Sequence, residues 1–237
     1  MGYDFEFADG LSFGEWLPRE VAEETILESR GFFVDQVKRV AERLQRERPE
    51  GERLEVLIPW LWFATAFTAP GRYIYFSRRL LERCRDDDSV AFIVAHEIAH
   101  HDLGHLEYFK SRFARRVAWL GVGKLAVLYF RSVQKRLYSL GHECAADRHA
   151  LDLCMAAGYG PRKCLAVFDV WANYLLDLGD VDGVYGPDQE TDEELSPTAD
   201  FMTKARIWLW LKRRGYLPVQ DRKAELQRYL ESKTTTT

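Results

Sequence analysis

Residues 90–100 read Val90-Ala91-Phe92-Ile93-Val94-Ala95-His96-Glu97-Ile98-Ala99-His100, an apolar run that ends in an H-E-x-x-H motif. All six histidines of the 237-residue chain fall between His96 and His149. On an α-helix, residues i and i+4 project from nearly one face, about 6 Å apart along the axis. His96 and His100 can therefore grip one Zn²⁺, with Glu97 beside them as general base toward an activated water. A helix apolar on nearly every side must be central and buried, and polar groups carried into a core need partners. The fold must wrap this segment and supply those partners. Without a metal, the alternative is a pair of hydrogen-bonded core histidines. Ser89 is the predicted N-cap, with Asp86, Asp87 and Asp88 before it, where acids suit the positive end of the helix dipole.

A third ligand separates the classes of zinc enzyme. The H-E-x-x-H-x-x-G-x-x-H pattern fails, because Leu103 and Leu106 stand where Gly and His are needed. The other common solution is a carboxylate from a second helix, giving a His₂Glu set. Gly141-His142-Glu143-Cys144-Ala145-Ala146-Asp147 offers one. Glu143 and Asp147 are again i and i+4, and small Ala145 and Ala146 between them permit close helix approach. One acid can ligate while the other holds the N–H of a ligating imidazole. A solvated helix carrying ordinary charges is the plain alternative.

H-E-x-x-H followed by E-x-x-x-D and by Ala157-Gly158-Tyr159 resembles the HtpX and CAAX-prenyl-protease type of gluzincin metallopeptidases. The stretch from Ala66 to Leu81, A-F-T-A-P-G-R-Y-I-Y-F-S-R-R-L-L, is similar to that family's N-A-F-A-x-P-G-G-x-I-Y-V-x-x-G-L-L element, apart from Thr65 in place of its Asn. Ser196-Pro197-Thr198 and Arg206 resemble an H-P-x-x-x-x-R element, with Arg206 ten residues after Ser196 where the element has six. The resemblance runs from about Leu54 to Arg206. It implies a zinc-dependent endopeptidase with one Zn²⁺ per chain, held by His96, His100 and Glu143. Glu97 would be the base and Asp147 the acid that orients a ligating imidazole, while His105 matches a structural histidine. By the same analogy the strand ending at Thr65, Ala66 and Phe67 aligns substrate backbone as an added strand. Ser196 and Arg206 would lie toward the oxyanion and substrate. Ser196 replaces a histidine thought to steady the oxyanion; a hydroxyl donates one hydrogen bond but carries no positive charge. The expectation is therefore low basal activity, with a zinc-bearing but inactive scaffold or regulatory protein as the alternative.

Composition narrows the remainder. With 47 % apolar residues the chain can bury a substantial core, and a net charge of −4 leaves no nucleic-acid footprint. Cys84, Cys144, Cys154 and Cys164 form no C-x-x-C pair and read as reduced packing residues. Met1 to Glu6 has neither the basic nor the apolar region of a signal peptide, so the expected location is cytoplasmic, with peripheral membrane contact left open. The apolar stretch 117–130 contains Lys124 and is flanked by Arg and Lys. It is too short to span a bilayer, which needs about 20 residues. It suits a packed or partner-binding helix, or docking on a membrane surface. Residues 177–194 hold eight acids and no Lys or Arg, as a solvated loop or a lid would.

The periodicity predicts one amphipathic helix over 19–48 and a small antiparallel sheet from 53–58, 59–67 and 72–76. Helices are expected from Ser77, Ser89, about Phe109, about Leu140 and Pro161, then over 199–214 and 221–233. The organisation is a single α+β, mostly helical zincin-type metallopeptidase domain over 1–237. Its parts are an N-terminal helix (19–48), a catalytic core (54–206) and a C-terminal helical extension (207–237). The expected substrate is polypeptide.

Overall fold

The computed structural model describes residues 13–48, 51–61, 64–69, 71–84, 86–106, 140–171 and 219–234. Its elements are α1 (Phe13–Glu24), β1 (Leu27–Glu28), α2 (Phe32–Arg46), β2 (Glu55–Pro59), β3 (Ala66–Thr68), β4 (Tyr73–Phe76), α3 (Arg78–Leu81), α4 (Asp87–Asp102), α5 (Leu140–Ala156), α6 (Pro161–Cys164) and α7 (Val219–Thr234). The α+β class expected from the sequence holds: the described residues are mostly helical and include a small four-stranded sheet.

Helix α4 is the centre of the packing. Every residue from Ser89 to His100 is buried, and α5, α2, α6 and β3 pack against it. Phe92, Ile93, Val94, Ala95 and Ile98 join one core with Val37, Val40 and Leu44 of α2, Ile74 and Phe76 of β4, and Ala150, Leu151 and Cys154 of α5. Each fully buried side chain of the Phe or Ile kind contributes about 1.5–3 kcal/mol relative to exposure. A helix apolar all round thus becomes the axis on which the other elements stack.

Its first turn corrects one expectation. The N-cap is Asp86, whose Oδ1 accepts the Ser89 N–H at 2.8 Å, and Ser89 itself is buried inside the helix. Asp caps as well as Ser, and starting three residues earlier leaves two acids to tie α4 outward. Asp87 accepts Gln36 at 2.9 Å and Arg39 at 2.8 Å from α2. Asp88 accepts the Gly160 N–H at 2.6 Å, at the start of α6.

The sheet order is β1-β2-β4-β3. β3 pairs antiparallel with β4, Phe67 opposite Tyr75, and the two rings stack at 4.7 Å. β2 pairs parallel with β4, Val56 opposite Ile74, so the expected all-antiparallel sheet is a mixed one. The reason is positional: the segment after β2 carries the chain past the neighbouring slot, β3 takes the outer edge, and β4 returns between them. Gly71, at φ 110°, permits that tight return. Of the stretch 59–67, expected to be β-prone throughout, the described residues are strand at Pro59 and at Ala66 and Phe67.

The single helix expected over 19–48 is also corrected. It breaks into α1, β1 and α2, and Gly31 at φ 113° opens α2 in a backbone region closed to other residues. β1 then pairs antiparallel with β2 through Leu27–Pro59 and Glu28–Ile58. Val34, Val37, Val40, Ala41 and Leu44 form the buried face of α2. The expected starts at Ser77, Leu140 and Pro161 and the terminal helix match α3, α5, α6 and α7. The predicted helices from Phe109 and over 199–214, and the segments 117–130 and 177–194, lie outside the described residues. Among the described residues no helix is long and apolar enough to cross a membrane. Cys84, Cys154 and Cys164 are buried free thiols and Cys144 is a half-buried one.

Candidate metal centre

Helices α4 and α5 meet with their two i, i+4 pairs face to face. His96 Nε2 and His100 Nε2 stand 3.1 Å apart. Glu143 of α5 comes in opposite them, with Oε2 at 3.6 Å from His96 Nε2 and Oε1 at 3.7 Å from His100 Nε2. Ligands about 2.0–2.1 Å from a tetrahedral zinc stand about 3.3–3.4 Å from one another. The three separations bracket that spacing, and the donor set of two imidazoles and a carboxylate suits zinc. Among the described residues this trio alone forms a group that can hold a metal ion.

The other imidazole nitrogens are engaged from behind. His96 Nδ1 lies 3.0 Å from Asp147 Oδ1, which turns Nε2 toward the centre. His100 Nδ1 lies 2.9 Å from His105 Nδ1. Gly104, at φ 67°, turns the chain after α4 so that His105 folds back on the helix, with its N–H on the His100 carbonyl at 3.0 Å. His105 in turn stacks on His142 at 4.3 Å between ring centroids.

Charge follows this geometry. Burial disfavours the charged form of His96, but Asp147 and Glu143 outweigh it and hold its pKa up at about 10. Burial and the His96 charge keep His100 well below the ordinary histidine value. Burial pulls His105 down to about 4, with His142 adding to it. Burial would raise Glu143 and Asp147, yet the Arg222 guanidinium, with His96 adding, holds both low. Burial pushes Glu97 up to about 7, against the pull of His96. Glu97 Oε2 is buried and has no hydrogen-bond partner among the described residues, while the Thr68 backbone of β3 bonds the same carboxylate. A carboxylate so placed can accept a proton from a water beside the two imidazoles.

The sequence-predicted residues His96, Glu97, His100, Glu143 and Asp147 thus meet at one point. Ala66 and Phe67 lie in β3, the edge strand that packs on α4, and Thr65 precedes it. The Thr65 N–H bonds Ser77 Oγ at 2.8 Å. Phe67 is buried against Tyr75, so its side chain is part of the sheet's packing. Ser196 and Arg206 lie outside the described residues. His149 stands off the centre, its Nε2 3.1 Å from Asp102 Oδ2.

Sequence reasoning missed Arg222 of α7. Its Nε and Nη2 donate to the two Asp147 oxygens at 2.8 and 2.7 Å, and Nη1 lies 3.0 Å from Glu143 Oε2. One signal for it was present. Arg222 precedes Leu226 and Leu230 at four-residue steps, the two buried apolar residues of α7, and so shares their inward face. Also missed was the Arg48–Asp102–His149 group joining α2, α4 and α5.

With this geometry in view, comparison with family models finds a match to peptidase family M48 over residues 36–203. The chain belongs to that family of metallopeptidases, whose members act on polypeptides. No curated protein matches the chain.

Proposed function

We propose that this member of peptidase family M48 is a zinc-dependent endopeptidase of the HtpX and CAAX-prenyl-protease type. One Zn²⁺ is held by His96, His100 and Glu143, and Asp147 orients His96. The observation that carries the reading is the buried Glu97 carboxylate, with one oxygen unpartnered, beside three ligand atoms that lie within 4.8 Å of one another. When bound, zinc supplies Lewis acidity that polarises the scissile carbonyl and makes water acidic enough to deprotonate. Glu97 takes a proton from the attacking water as its oxygen bonds to the carbonyl carbon. As the C–N bond breaks, Glu97 returns that proton to the leaving nitrogen. Burial disfavours the charged form of the Glu97 carboxylate and so favours its taking up a proton.

The outer edge of β3, from Thr65 to Phe67, aligns the substrate backbone as an added strand. The Thr68 contact to Glu97 supports this, since it ties that strand to the base. We assign Arg206 to substrate contact and Ser196 to the oxyanion. A hydroxyl there in place of a histidine costs about 10²–10³ in rate, which leaves a slow enzyme. In this reading 1–237 acts as one domain in the cytoplasm, with 117–130 as a surface for a membrane or a protein partner. Digestion of casein and a broad peptide library by zinc-loaded wild type and Glu97→Gln tests the assignment. Weak cleavage that Glu97→Gln abolishes with zinc retained is expected. Equal inertness of both proteins would leave a zinc-bearing scaffold in place of an enzyme.

A further inference from the structure

Helix α7 lies beyond the residues that the family model matches, yet it reaches the metal centre through one side chain. Arg222 is nearly buried, its side chain 12 % exposed, and the rings of Phe168 and Trp171 each lie 5.8 Å from its Cζ. A guanidinium presents its N–H donors in a rigid plane. Here two of them form a fork onto Asp147, at 2.8 and 2.7 Å, and a third nitrogen stands 3.0 Å from Glu143 Oε2.

Two consequences follow for the ligands. Asp147 is pinned at both oxygens while its Oδ1 also faces His96 Nδ1 at 3.0 Å, so the angle of the His96 ring depends on Arg222 at one remove. Glu143 has Oε2 drawn toward Arg222, and its Oε1 faces His100 Nε2. Arg222 thereby favours ligation by one carboxylate oxygen over two. Without the cation, two carboxylates one helical turn apart would repel each other in a buried setting. The rest of α7 is docked independently of the ligands. Leu226 and Leu230 enter the core, Lys223 pairs with Asp169 at 2.7 Å, and Tyr229 donates to Asp152 at 2.7 Å.

We propose that Arg222 is a positioning residue of the metal centre, and that the C-terminal helix is therefore a working part of it. The inference rests on the assignment of His96, His100 and Glu143 as zinc ligands. It predicts that the shape of the fork matters as well as its charge, because an ammonium cannot span both acids as a planar guanidinium does.

The test is zinc affinity, measured on the full chain by competition with a chromophoric chelator, with thermal melting as a separate readout. Arg222→Lys and Arg222→Met should each weaken zinc binding about ten- to a hundredfold, the usual cost of losing a group that orients ligands. Lys223→Met, on the same helix but away from the ligands, should bind zinc as wild type does. Where Arg222→Met fails to fold for want of a counter-ion, Arg222→Lys carries the test. Wild-type zinc affinity in folded Arg222→Lys overturns the proposal. So does an equal loss in Lys223→Met, which would make helix docking the cause. His96→Ala and Glu143→Ala run alongside: unchanged affinity in those sinks the ligand assignment itself, whereas their loss beside an unchanged Arg222→Lys sinks only the role of Arg222.

Discussion

Asp102 closes the helix that carries both imidazoles, and replacing it with Asn probes how that helix is held. Its carboxylate accepts Arg48 through Nε at 3.1 Å and Nη2 at 2.5 Å, and faces His149 Nε2 at 3.1 Å. The Arg48 and Asp102 side chains are only 7 % and 13 % exposed. Asn keeps the shape, but it loses the charge and turns an N–H₂ group toward donors. A hydrogen bond to a charged group contributes about 1.5–3 kcal/mol, and stranding a buried ion costs about 3–5 kcal/mol. Arg48 and Asp102 also line an open cavity with Glu52, Leu54, His101 and His149, so water can reach the stranded guanidinium and the upper figure does not apply. The expected loss is about 2–3 kcal/mol. At this chain length 1 kcal/mol moves Tm by about 2–4 °C, so Asp102→Asn should melt roughly 4–12 °C lower. Circular dichroism melts of wild type, Asp102→Asn, Arg48→Met and the double variant read this directly. The two single losses should be alike and the double loss smaller than their sum. A cost under about 0.5 kcal/mol, as for an exposed pair, would refute the view that this group clamps α2, α4 and α5 together.

Other outcomes follow from the same geometry. Glu143→Ala should lose zinc outright at nanomolar free metal, while Asp147→Ala should retain it about ten- to a hundredfold more weakly; full occupancy in Glu143→Ala would point to His142 or His149 as the missing ligand. Asp87 gives a pH signature. Burial works against its charge, but its bonds from Arg39 and Gln36 leave its folded pKa below the ordinary value. Its contribution is therefore complete above the unfolded value near 3.9 and is lost as pH falls through the lower folded value. Asp87→Asn should cost under about 1 kcal/mol at neutral pH, since the pair is largely exposed, and nothing in strong acid; a difference from wild type that grows on acidification would contradict the sign.

Helix α4 was legible because its signal is local. An apolar run long enough to be buried on every side, broken only by residues with ligand chemistry, leaves one place for 90–100 to go. Glu143 and Asp147 were legible for the same reason: their spacing puts both acids on one face, and Ala145 and Ala146 let that face come close. Sheet parity was not legible. Whether β2 runs with or against β4 depends on which slot β3 occupies, and nothing in 59–67 encodes that slot locally. The start of α2 depended on Gly31 being read as a forced positive φ. The cap of α4 depended on choosing between two good capping residues, Asp86 and Ser89, of which the earlier also frees Asp87 and Asp88 to hold α2 and α6. Arg222 was legible only as a phase relation with Leu226 and Leu230. Its partners lie more than seventy residues away, and no motif links them.

In the proposed site His96, His100 and Glu143 hold one zinc ion with Glu97 beside it. Anomalous diffraction at the zinc edge from crystals of the zinc-loaded full chain tests it most directly. One strong peak per chain is expected about 2.0–2.2 Å from His96 Nε2, His100 Nε2 and one oxygen of Glu143, with Glu97 near the metal but outside bonding distance. A peak on His149 and Asp102, on a cysteine sulfur, or on the carboxylate of Glu97 would contradict it.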